Sequence, residues 1–188
     1  MLMHTKRLLR GSKVWLAALT EDDLPTIARW YENAEFMRLY DSRPAHPKTE
    51  GDLKRWLDQV REDNSTYAFG VRTLAEDALI GTLELDGIIW AHGVCGTGLA
   101  IGDPVNWGQG YGYDASQLGL RFAFDEINMH RVTATVFSYN DRSIELLERL
   151  GFQHEGTFRE FLQRDGQRHD MLLYGILVHE WRARQDTG

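Results

Sequence analysis

Apolar positions change period several times along this 188-residue chain, and each change marks an element. Leu8 and Leu9, then Val14, Leu16 and Leu19, broken by Gly11-Ser12, predict an opening strand pair over residues 6–19. Thr20-Glu21-Asp22-Asp23 resembles a capping box, and Leu24, Ile27, Ala28 and Tyr31 then recur at helical spacing over 24–33. Pro25 restricts the helix start to its own turn. Trp30, Tyr31, Phe36 and Tyr40 keep near-helical spacing, as core positions do, with an aromatic cage as the alternative. Beyond Pro44 and Pro47, Leu53, Trp56, Leu57 and Val60 form the apolar side of another helix, opposite Lys54, Arg55, Asp58, Arg61 and Glu62.

The period then falls to two. Tyr67 to Val71, Leu79 to Leu85 and Gly96 to Ile101 predict three successive strands. A glycine cluster leads into a helix over 113–128, with Ala115, Leu118, Phe122 and Ile127 inward. The β-branched run Arg131 to Phe137 is a strand, and Asn140-Asp141 starts a short helix with Ile144, Leu147 and Leu150 that Gly151 ends. Residues 152–177 predict strands turning at Asp165-Gly166. The order βααβββαβαβ(β) describes one mixed α/β domain over 6–182, without the strict alternation of a doubly wound sheet.

Composition narrows the function classes. Lys and Arg number 21 against 28 Asp and Glu, so the formal charge is −7, which disfavours nonspecific binding to phosphate backbones. A single cysteine, Cys95, excludes an intrachain disulfide and suits a reducing compartment as a buried apolar residue. No apolar run approaches the ~20 residues of a membrane span, and Met1 to Arg10 has no signal-peptide core, so a cytoplasmic protein is expected. The seven histidines show no metal-ligand spacing, and no metal is expected.

Gly108-Gln109-Gly110-Tyr111-Gly112 lies between a strand and a helix, where free backbone N–H groups favour an anion such as phosphate. A tight turn without a ligand explains it equally well. The third glycine comes too early for a dinucleotide loop, and the Gly-Lys-Ser/Thr of a nucleotide P-loop is missing. A pyrophosphate loop for coenzyme A is the remaining reading.

At this point the residues resemble a family. Trp107 to Ala115 is similar to the acetyl-CoA loop of the GNAT superfamily of N-acetyltransferases. Asn128 to Val132, Asn140-Asp141-Arg142-Ser143, Leu150-Gly151-Phe152, Glu155-Gly156, Arg159, Asp165-Gly166, Asp170 and Glu180-Trp181 follow in order, as in its RimJ/RimL-like branch, the ribosomal-protein N-terminal acetyltransferase type. The resemblance implies a GNAT fold: a mostly antiparallel sheet with flanking helices and one splayed parallel strand pair, Gly96–Ile101 and Arg131–Phe137. It implies acetyl-CoA as co-substrate, with Leu99 and Ile101 on the splayed strand, Gln109, Gly110, Tyr111, Gly112 and Tyr113 at the pyrophosphate, and Asn140 beside the pantetheine arm. Two departures stand out: Trp107 occupies a loop position that is often Gln or Arg, and Leu147 occupies that of a general-acid tyrosine.

Acetyl transfer to an amine needs a base, donors for the oxyanion and a proton for the leaving thiolate. Ser143, three residues after Asn140, is the candidate at the thiolate; its alternative role is a local cap. Backbone N–H groups near Leu99 or Ala100 are the candidate oxyanion donors. Glu160 and Glu84 are the candidate bases, with Glu160 ahead because the branch places an active-site glutamate in that segment. Glu84 is otherwise a solvated strand residue. His130 and Arg131 are expected to be structural. Thr20 to Asp63 carries 11 acids and 7 bases, a net of −4, which attracts a cationic amine where these helices border the acceptor and otherwise describes two solvated helices. A protein N-terminal α-amino group is the leading acceptor, and a polyamine or aminoglycoside-like amine the alternative. A non-catalytic acyl-CoA-binding module is the rival of another class. A homodimer is compatible with the resemblance.

Overall fold

In the computed structural model, residues 8–185 are described. Seven strands form one sheet in the order β1-β2-β3-β4-β5-β7-β6: β1 Val14–Ala18, β2 Tyr67–Thr73, β3 Leu79–Ile89, β4 Val94–Ile101, β5 Arg131–Phe137, β6 Gln153–Arg164 and β7 Gln167–Leu177. Every neighbouring pair is antiparallel except β4 with β5. α1 Leu24–Trp30, α2 Ala34–Tyr40 and α3 Glu50–Glu62 precede β2; α4 Tyr111–Arg121 joins β4 to β5, α5 Asp141–Leu150 joins β5 to β6, and α6 Val178–Gln185 follows β7.

Strand alternation gives the sheet two apolar faces, and the helices cover both. On one face Leu83 and Leu85 of β3, Cys95 of β4 and Val132 of β5 pack with Leu118 of α4 and Phe124 beyond it. On the other, Leu24, Ile27, Trp30, Phe36, Met37, Leu53 and Leu57 of the first three helices close over Ala100. Gly102 marks the tightest point of that second core: a Cβ there would lie 2.0 Å from the Trp30 ring.

The mixed α/β fold with one parallel pair matches the expectation. That pair is short. Val94, Cys95 and Gly96 register with Arg131, Val132 and Thr133, and beyond them β4 and β5 separate. Each is held along its length only by its outer neighbour, β4 by β3 and β5 by β7.

Several boundaries differ from the pattern reading. Helix 24–33 ends at Trp30, and the Asn33 side chain caps a new helix by accepting from the Phe36 N–H at 2.9 Å. Helix 113–128 starts at Tyr111, and its last turn, Phe122–Glu126, widens into a π turn. The opening strand pair reduces to β1 and an isolated bridge between Arg10 and Trp15, while residues 6 and 7 lie outside the described residues. α6 carries too little apolar periodicity to read from sequence; only Trp181 is buried.

One carboxylate ties the N-terminal strand to α4. Asp114 accepts from the backbone N–H groups of Ser12, Lys13 and Val14 at 3.0, 2.8 and 2.9 Å, and from the Ser12 hydroxyl at 2.9 Å. Gly11 makes room for it, since a Cβ there would meet Asp114 Oδ2 at 2.3 Å. Partial burial pushes this carboxyl up, but the hydrogen bonds outweigh it and hold the group below its ordinary value. A depressed folded-state value stabilises the fold above the unfolded value and loses that contribution as pH falls through the folded one. Asp114→Asn is therefore expected to destabilise by about 2 kcal/mol at pH 7 in urea unfolding. Its difference from the parent protein should shrink below about pH 4, as the parent carboxyl protonates.

Candidate active site

The parting of β4 and β5 opens a cleft that two cavities fill. The outer one, about 330 Å³, runs from Phe36 and Leu39 past Ile101 and the glycine loop to Arg149. The inner one, about 270 Å³, lies between Thr97 and Gly98 of β4 and Thr135 and Phe137 of β5. Tyr40, Leu99, Asn140, Ser143 and Leu146 line both. Backbone groups of β4 beyond Gly96 that face away from β3 have no strand partner on that side, so an extended, amide-bearing chain can pair with them.

At the outer end the loop is built by backbone conformation. Gly108 and Gly110 have φ of +71° and +82°, the left-handed region. They turn the chain so that α4 begins at Tyr111 and its first turn, Tyr111 to Tyr113, lines the outer cavity. Trp107 is laid down by its indole N–H, which donates to the Ile101 carbonyl at 2.7 Å. The Arg142 guanidinium lies 4.2 Å from the Trp107 ring centre, and that of Arg149 lies 4.1 Å from the Tyr113 ring. Both arginines line the outer cavity. Lys13 Nζ donates to the Gln109 carbonyl at 2.6 Å. Loop amides, a helix N-terminus and three cations give this end the donors and positive charge that a multiply charged phosphate compound requires.

The other end is acidic. Glu84 projects from the face of β3 opposite Leu83 and Leu85, under the first three helices, and Asp86 shares that face. Across the strand pair they meet Gly98 and Gly96. A Cβ at Gly96 would lie 2.3 Å from Asp86 Oδ1, whereas one at Gly98 would meet nothing within 4 Å. The glycines of β4 thus leave space for one carboxylate and open space beside the other. Burial, with the like charges of Asp86 and Asp41, pushes the Glu84 carboxyl up to about 7, while Arg43 opposes that shift. Tyr31 and Tyr40 stand edge to face, ring centres 5.8 Å apart, in the same surroundings, and burial raises both phenols.

The expected site residues are distributed as follows. Leu99, Ile101, Gly110, Tyr111, Gly112, Tyr113, Asn140 and Ser143 all line the outer cavity. Gln109 does not: its side chain turns back to donate to the Val105 carbonyl at 2.6 Å, leaving only its backbone for a ligand. The buried Asn140 caps α5 through its side chain, accepting from the Ser143 N–H at 3.3 Å. Ser143 therefore takes part in a cap and faces both cavities.

The two glutamates lie in different surroundings, Glu84 half-buried beneath the helices and Glu160 open to solvent. Glu160 is exposed on β6, the edge strand, at a register shift, with φ of +51° and its N–H bonded to Asp170 at 2.7 Å. Neither glutamate is among the residues lining the two cavities: the irregularity after Phe158 turns Glu160 outward, whereas Glu84 lies opposite Gly98, which lines the inner one. Arg142, Arg149, Tyr40 and Asp41 enter the site without having been singled out for it. Arg142 and Arg149 are seven apart on one helix face, a spacing legible in sequence only once that helix borders the loop.

Two minor expectations concern nearby residues. Burial pushes the Cys95 thiol up to about 12, so it is no nucleophile at neutral pH. Arg131 forms a two-pronged pair with Glu155 and anchors the start of β5. Among the described residues no group of three or more His, Cys, Asp or Glu side chains is placed to hold a metal ion, and no helix is long and apolar enough to cross a membrane.

Comparison with known proteins agrees with this geometry. Residues 13–153 match the acetyltransferase (GNAT) domain family. A probable N-acetyltransferase of Bacillus subtilis, YjcK, is 32% identical over 178 residues, covering 90% of this chain and 97% of that protein. The [ribosomal protein uS5]-alanine N-acetyltransferase of Escherichia coli is 26% identical over 162 residues, 82% of each chain. The crystal structure of spermidine N-acetyltransferase from Vibrio cholerae, in complex with CoA and spermine, superposes with a TM-score of 0.82 at 25% identity over 90% of this chain and 98% of that one. A domain match over most of the length, and a relative similar almost from end to end, make this chain a member of the GNAT acetyltransferase family.

Proposed function

We propose that the chain transfers the acetyl group of acetyl-CoA directly to a primary amine, with Glu84 as the base that accepts the amine proton. The observation that carries this reading is the position of Glu84: opposite Gly98, on the strand that flanks the splay, with its carboxyl poised near 7. The loop fits the coenzyme's phosphates through the first-turn N–H groups of α4 with Arg142 and Arg149, and the freed edge of β4 fits the amide-bearing pantetheine arm. Backbone N–H groups near Leu99 or Ala100 then face the thioester carbonyl as it gains negative charge. Glu84 takes one proton from the bound ammonium, the neutral amine then forms the new C–N bond as the C–S bond breaks, and the second nitrogen proton goes to the departing thiolate. With leucine at position 147, Ser143 is the hydroxyl placed to stabilise the departing thiolate.

Proton affinity favours one class of acceptor. An α-amino group has an ordinary pKa near 8 and an alkylamine near 10.4, so transfer to a carboxylate near 7 is uphill by about 1 kcal/mol for the first and about 5 for the second. A protein or peptide N-terminus is therefore the leading acceptor, in line with the uS5-alanine N-acetyltransferase among the relatives. A polyamine is the second reading. It is favoured by the acids at the inner end and by the fold similarity to an enzyme solved with spermine.

Replacing Glu84 by Gln should lower kcat by about a hundredfold or more and remove the rise of kcat/KM with pH near 7, since a base acts only when ionised. Gly112→Trp places an indole where even a Cβ lies 3.3 Å from Leu99, so acetyl-CoA affinity by calorimetry should fall by at least about tenfold in a protein whose circular dichroism is unchanged. Ser143→Ala should reduce turnover by about tenfold while leaving acetyl-CoA affinity intact. Unchanged turnover would remove it from the chemistry.

A further inference from the structure

The loop after α2 places a cation of the protein's own at the acidic end. Asp41 carries a largely buried carboxylate, with a side chain 17% exposed, whereas the Arg43 side chain is 77% exposed. One carboxylate oxygen accepts the Arg43 backbone N–H at 3.0 Å, and the other takes the guanidinium Nε and Nη2, both at 2.7 Å. Asp41 and Ser42 line the inner cavity. Resting on the amine-acetylating reading above, we propose that Arg43 substitutes for a second positive charge of the acceptor: its guanidinium holds Asp41 until an ammonium of the substrate, other than the reacting amine, takes its place.

Three features support an exchange of this kind. The loop backbone is pinned independently of the pair, because Arg164 Nη2 donates to the carbonyls of both Asp41 and Arg43, the latter at 2.9 Å. The β6–β7 hairpin adds an Arg38–Asp165 ion pair at 2.8 Å, and the Tyr139 hydroxyl donates to the Arg38 carbonyl at 2.6 Å. Arg43 can therefore swing away while Asp41 keeps its aim. An exposed guanidinium is also cheap to release, since ion pairs open to water contribute little. Finally, exchange of one cation for another leaves the field at Glu84 nearly constant. The charged and titratable groups that act on Glu84 are Asp86 on its own strand and Asp41 and Arg43 on the loop, with the phenols of Tyr31 and Tyr40 on the covering helices. Arg43 lowers the Glu84 value, and a substrate ammonium in its place does the same. The base stays ionised through binding instead of being neutralised by a mouth of uncompensated acids.

The test uses the full chain with Arg43→Ala and Arg43→Lys, acetyl-CoA, and two peptides that differ only at the second residue, Ala-Lys and Ala-norleucine. Arg43→Ala should widen the KM advantage of the Lys peptide by about two- to fivefold, with a smaller effect on kcat. Arg43→Lys should stay close to the parent. An unchanged or narrowed advantage overturns the proposal. A parent protein that acetylates neither peptide would count against the N-terminal acceptor, and the Arg43 proposal is then decided without turnover. In ¹³C NMR, the Glu84 carboxyl of Arg43→Ala should titrate at higher pH than in the parent, and millimolar spermidine should draw the midpoint back. A midpoint that the substitution does not raise, or that spermidine does not restore, overturns it.

Discussion

The departure of β4 from β5 after three paired residues is the constraint on which the rest of the cleft depends. A sheet that stayed paired beyond Gly96 and Thr133 would satisfy its own backbone and leave no edge for an extended ligand. Here the two half-sheets are each complete on their outer sides, β4 against β3 and β5 against β7, so their separation loosens neither. The gap is bordered by Leu99 of β4 and by Asn140, Ser143 and Leu146 at and within α5, which line both cavities. Asn140 serves the fold and the site at once, because capping α5 fixes where Ser143 and Arg142 begin their helix.

Much of this was legible in residues. The glycines at 108, 110 and 112 announced a sharp turn between a strand and a helix, and two of them do occupy left-handed backbone. Asn140, Gly151 and the Asp165-Gly166 turn likewise follow from local chemistry, since each acts on neighbours within a few positions. The base was harder to choose. Glu84 and Glu160 both lie on strands, and only tertiary structure separates them: one is covered by helices that come 22 or more residues earlier, the other lies on an uncovered edge strand behind a bulge. Long-range ties were illegible for the same reason. Asp114 meets Ser12 across about a hundred residues, and Arg164 meets Asp41 across 123, with no periodicity to report either. Helix α2, only seven residues long, was hidden because its aromatics could equally continue α1.

Composition told the least, and the structure explains why. A charge of −7 is an average over a cleft whose two ends have opposite character. Lys13 from before β1 and Arg142 and Arg149 from α5 gather at the loop, while Asp41, Glu84 and Asp86 gather at the inner end. Such a gradient suits two substrates of opposite charge that must meet without exchanging places. On the reading proposed above, the donor would carry its phosphates to the cationic end, with its thioester towards the splay, and an amine would enter from the acidic end as an ammonium. The acids that recruit that ammonium must also leave one of their number able to take its proton. Burial of Glu84 beside Asp86 and Asp41 does so, because like charges in a poorly solvated site raise the affinity of one carboxylate for a proton. On that reading, attraction and activation of the amine arise from the same cluster. The open space beside Gly98, which β4 keeps by carrying no side chain there, is where the two functions can coincide.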